Sequence, residues 1–89
     1  MQYCTPEGIR TMVRQVERWI RAAEQDNDPA IRGLHASYAV GNLDILRQIA
    51  TDQEIVEASG VQPLSLLTRA SALQDAAAKL LQQRGGIAP

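Results

Sequence analysis

The sequence predicts an all-α protein, a compact bundle of three long helices and one short one. Three observations carry that expectation. Apolar residues recur at three- and four-residue spacing along most of the 89-residue chain. No stretch alternates with the two-residue period of a strand, and capping residues bound each periodic segment. The chain has one Trp, two Tyr and no Phe, so its core must be Leu, Ile, Val and Ala, which suits closely approaching helices. One domain of this length buries about 60–65% of its unfolded surface and has modest stability as a monomer.

Thr5-Pro6-Glu7 opens the first helix, expected over residues 6–25. Thr is an N-cap, Pro suits the first helical position, and the acid sits at the positive end of the helix dipole. Ile9, Met12, Val13, Val16, Trp19, Ile20 and Ala23 then fall on a single arc. Asp28 caps the next helix and Pro29 begins it; this helix, over residues 29–50, is expected to be the central element.

The central helix is apolar around more than half its girth. Ile31, Leu34, Tyr38, Ile45 and Ile49 form one stripe, flanked by Ala39, Leu43, Leu46 and Ala50. Gly33 and Gly41 each cost about 1 kcal/mol in a helix interior, and Gly41 stands where a missing side chain would let another backbone approach. Thr51-Asp52-Gln53-Glu54 is a capping box that starts a short helix over 52–59, closed by Gly60. The last helix, over 63–84 and ended by Gly85-Gly86, carries a heptad seam of Leu66, Ala70, Leu73, Ala77 and Leu80. Its alanine column predicts a close, antiparallel neighbour, and Ile87-Ala88-Pro89 reads as a frayed tail.

Composition narrows the function classes. A net charge of −1 provides no global field to draw in nucleic acid. The single Cys4 forms no internal disulfide and has no His neighbour to activate it. No signal-peptide pattern and no run of about 18–20 apolar residues is found, so a cytoplasmic protein without a membrane span is expected. One His and one distant Cys make no metal ligand set, and no cofactor motif occurs.

Three groups of residues are candidate sites. His35, Tyr38 and Asn42 place an imidazole, a phenol and an amide on neighbouring turns of the central helix. Acid–base catalysis would need a second titrating group, and the nearest acid, Asp44, lies on the opposite face. The trio is therefore read as a polar network or interface that fixes helix register. Arg10, Arg14, Arg18 and Arg21 line the first helix opposite its apolar arc, read first as a solvated face, then as one for an acidic protein partner, and last as one that follows a nucleic-acid phosphate backbone. Glu17 and Glu24 stand at pairing distance along the helix and dilute that positive field. Trp19, Leu66, Leu73 and Leu80 are the expected interface anchors.

The third group is residues 52–71, DQEIVEASGVQPLSLLTRAS, with Ile55 and Val56 on a short helix, Gly60 in a turn, Val61 after it and Leu66 inward on a second helix. This segment resembles the helix-turn-helix of bacterial transcription regulators. The resemblance covers about 20 residues and implies that Gln62, Pro63, Leu64, Leu67 and Thr68 face the bases, with Arg69 nearby. It departs from the family's pattern in Val56, where a small residue is usual, and in the apolar chemistry of most of the base-facing set. The preferred expectation is a non-enzymatic protein-interaction module (adaptor, assembly factor or inhibitor) that associates as a homodimer. Helix-turn-helix DNA binding is the alternative.

Overall fold

The computed structural model describes residues 5–83 and is all-α. Its four helices are α1 (Pro6–Gln25), α2 (Pro29–Ile49), α3 (Asp52–Ser59) and α4 (Pro63–Gln83). Cys4, Arg84, Gly85-Gly86 and the Ile87-Ala88-Pro89 tail, all read from the sequence, lie outside the described residues.

The helix ends follow from local hydrogen bonding. Thr5 Oγ1 accepts from the Gly8 amide at 3.0 Å, and Asp28 Oδ1 accepts from the Ala30 amide at 2.9 Å. At α3 the capping box is reciprocal: Thr51 Oγ1 accepts from the Glu54 amide at 3.1 Å, and Glu54 Oε1 accepts from the Thr51 amide at 2.8 Å. That backbone bond favours the ionised carboxyl and holds Glu54 below its ordinary pKa. Gly60 ends α3 at φ 74°, a left-handed conformation that glycine adopts without a Cβ clash. Arg47 then ties the end of α2 to the start of α3 through a two-pronged pair with Asp52 at 3.0 and 3.1 Å.

Helix α2 runs between α1 and α4 and is antiparallel to both. Trp19 of α1 meets His35 and Tyr38, while Arg32 reaches back to donate to the Ala23 carbonyl at 3.1 Å. On the other side Gln74 of α4 donates to Ser37 Oγ at 3.0 Å, and Ala77 lies over Gly33. The core gathers Ile9, Val13, Val16 and Ile20 from α1 and Ala39, Leu43, Leu46 and Ala50 from α2. Ile55 of α3 and Leu66 and Ala70 of α4 complete it. Each large aliphatic side chain buried there contributes about 1.5–3 kcal/mol.

The structure chooses one side of the wide apolar arc of α2. The bulky stripe of α2 does not lead the inward face. Ala36, Ala39, Leu43, Leu46 and Ala50 point to the core, while Ile31, Leu34, Tyr38 and Ile45 point out and only Ile49 is half-buried. The reason is steric. Two long helices close on α2 from either side, and small alanines let both backbones approach where isoleucines would hold them off. The α4 seam does face inward within its own chain: Leu66, Ala70 and Ala77 are buried, Leu73 is half-buried and Leu80 emerges at the end.

Candidate functional site

The outward face of α2 is a file of apolar side chains that the chain's own described residues cover only in part. Ile31, Leu34, Tyr38 and Ile45 are 37%, 45%, 44% and 53% exposed. They succeed one another at three, four and seven residues, so they line one side of the helix over about 21 Å at 1.5 Å per residue. The seven-residue gap contains Gly41, which is exposed and would have no neighbour within 4 Å even if it carried a Cβ. Scattered surface leucines are ordinary, whereas a file along one helix is a candidate contact surface.

Both shoulders of this file have relief. On the α1 side, Gln15, Arg18, Trp19 and Ala22 frame a shallow cleft of about 120 Å³. On the α4 side, Val40, Gly41, Leu43, Asp44, Arg47 and Leu67 frame a hollow of about 200 Å³. Trp19 joins the first shoulder to the file, with its ring 4.9 Å from Tyr38 edge-on and 5.4 Å from His35. Offset and edge-to-face contacts of this kind hold rings in fixed orientations. The single Trp is therefore half-buried between the core and the exposed face, serving both.

The polar trio is not a network within the chain. Among the described residues no hydrogen bond joins His35, Tyr38 and Asn42. His35 and Tyr38 instead form an aromatic group with Trp19, their own ring centroids 6.5 Å apart. His35 Nδ1 is buried without a partner, and no carboxylate bonds to the ring to make an acid–base pair. Asn42 is half-buried at the edge of the apolar file. Periodicity placed these residues on one face correctly. It gave no sign that Trp19, from another helix, would occupy the space between the two rings.

Arg10, Arg14, Arg18 and Arg21 are all exposed. Arg10 donates to the Ala58 carbonyl at the end of α3 at 3.4 Å, and Arg14 donates to Thr11 Oγ1 at 3.3 Å. Among the described residues no ion pair joins Glu17 to this row. Glu24, which its spacing suggests for Arg21, is taken by Arg69 of α4 at 3.3 Å. The row is thus more positive than the sequence spacing implies.

In the segment that resembles a helix-turn-helix, α3 packs chiefly on α1. Pro63 is buried, and Thr68 Oγ1 donates to the Leu64 carbonyl within α4 at 2.9 Å. Arg69 is held by Glu24. Of the set implied to face bases, Gln62 and Leu64 stand in the open, and Leu64 offers no hydrogen bond to a base edge. Among the described residues no group of three metal-ligating side chains occurs, and no helix is long and apolar enough to cross a membrane. Comparison with known proteins yields no match to a family model, a curated protein or a solved structure.

Proposed function

We propose that this chain is a non-enzymatic protein-interaction module that self-associates through the outward face of α2. The observation that carries this reading is the exposed file of Ile31, Leu34, Tyr38 and Ile45, continued onto α1 by Trp19. Removing apolar surface from water favours association by about 25 cal/mol per Å², and the file offers no other purpose within the fold. In this account the arginine row of α1 stays free for an acidic protein partner, so the module has one face for itself and another for its target. The chemistry of residues 62–69 supports the DNA-binding alternative poorly, because Thr68 and Arg69 are bonded within the chain and Leu64 and Leu67 offer no hydrogen bond to a base edge.

The only Trp is a built-in reporter, since Trp19 lies at the rim of the face. Its emission is expected to shift to longer wavelength on dilution as the covering surface leaves. Ile45→Glu should show the diluted spectrum at every concentration while keeping its helical circular dichroism. Identical, concentration-independent spectra for both proteins would remove the reading.

A further inference from the structure

Resting on the self-association reading, we infer that the occupant of the α2 face is a second copy of α2 in antiparallel register, with each Tyr38 seated on the partner's Gly41. The face repeats every seven residues: Ile31, Tyr38 and Ile45 form one column, and Leu34, Gly41 and Gln48 the other. Those columns carry both a knob and a hole. Tyr38 is the largest side chain of the file, and Gly41, one turn on, has no side chain at all.

Gly41 is the observation that selects the occupant. A glycine inside a helix weakens it, and here no neighbour in the chain requires one, because a Cβ at this position meets open space. Gly33, on the same helix, packs inside the fold: a Cβ there would touch Ala77 Cβ at 3.4 Å, whereas one at Gly41 touches nothing. Gly41 needs a reason from outside. The hollow of about 200 Å³ beside it, walled by Val40 and Leu67, extends the recess toward α4.

Only one pairing fills that recess from the same sequence. A parallel two-fold would place Tyr38 on Tyr38 and Gly41 on Gly41, crowding one layer and emptying the next. An antiparallel two-fold between residues 39 and 40 gives three complementary layers. Tyr38 lies on Gly41 twice over, Leu34 faces Ile45, and Ile31 faces Gln48. No charged residue stands in either column, so two copies meet without like-charge repulsion along the seam. The same axis brings the Asn42 amide of one copy within one residue's rise of the other's Tyr38, offering a partner to two polar groups that have no hydrogen bond among the described residues. A seam confined to one helix is small beside the ~800 Å² per partner of a standard interface, so the pair is expected to be reversible and concentration-dependent.

The test uses the full chain with Cys4→Ser, into which Ile31→Cys or Gln48→Cys is introduced, leaving the two inner layers intact. The two variants are mixed and treated with a short bismaleimide, while light scattering records the mass. The expected product is the 31–48 cross-link, in at least fivefold excess over 31–31 and 48–48, which the antiparallel pair holds about 26 Å apart along the helix. Excess of the same-residue products at dimer mass would overturn this register while leaving self-association standing. Monomer mass without cross-links would overturn both. Gly41→Leu separates a pairing role from a folding role: the midpoint of thermal unfolding should not fall, while the dimer dissociation constant should rise at least tenfold. A dimer indifferent to Gly41→Leu would remove Tyr38 from its seat.

Discussion

The two glycines of α2 stand eight residues apart, about 80° around the helix, and have different surroundings. Gly33 lies under α4, where the missing side chain lets Ala77 and its backbone approach. Gly41 lies on the outward face, where nothing in the chain approaches. The surroundings follow the same division. The side shared with α1 and α4 is small and aliphatic, with Ala36, Ala39, Leu43 and Leu46 all buried. The opposite side is bulkier and open, with Ile31, Leu34, Tyr38 and Ile45. The bulkiest face of a helix is thus not necessarily its inward face. Close approach selects small residues, and the large apolar ones are left for a contact made elsewhere.

The sharpest way to break this comparison is to truncate one residue from each side. Leu43→Ala or Leu46→Ala opens a cavity in the core and should lower folding stability by about 2–5 kcal/mol. Ile45→Ala, read at a dilution where the chain is monomeric, should stay within about 0.5 kcal/mol of the parent. Urea unfolding of the variants measures both, and equal losses would mean that the outward face is packed after all. Enlarging the two glycines gives opposite signs. Gly33→Leu forces α4 away and should cost about 1–3 kcal/mol, whereas Gly41→Ala should add about 0.8–1 kcal/mol to the monomer through helix propensity alone.

A smaller effect belongs to the α3 cap. Thr51→Ala removes the acceptor for the Glu54 amide and should lower stability by about 1 kcal/mol. Because Glu54 titrates below its unfolded value, its contribution is present above the unfolded pKa and is lost as the pH falls through the lowered folded one. The parent should therefore lose more thermal stability than Glu54→Gln on acidification below the ordinary glutamate range. Parallel pH profiles would show that the carboxylate does not stabilise the cap. Smallest of all, Arg14→Glu with Arg18→Glu should leave the unfolding midpoint nearly unchanged, because both side chains are exposed and unpaired by any carboxylate among the described residues. Capture of an acidic protein surface should slow, as a stopped-flow association rate would record.

The helix ends were legible in the sequence because their causes are local. Thr5 with Pro6, Asp28 with Pro29, Thr51 with Glu54, and Gly60 each act within a few residues, and each does in the structure what its position implies. The facing of α2 was not legible. A helix apolar over more than half its girth satisfies periodicity in two orientations, and the choice is made by α1 and α4 closing on the alanines. The surroundings of the polar trio were not legible for the same reason. Its residues share a face, but Trp19 arrives from a different helix and turns two of them into an aromatic contact. The heptad of α4 was readable as a seam, but what it packs against was not: Leu66, expected as an interface anchor, is buried within its own chain.

The measurement that tests the outward face most directly is the solution mass of the unmodified chain by light scattering across a hundredfold dilution. The account expects a mass approaching twice 9.7 kDa at high concentration and falling toward the single chain on dilution. A mass of one chain at every concentration would contradict it.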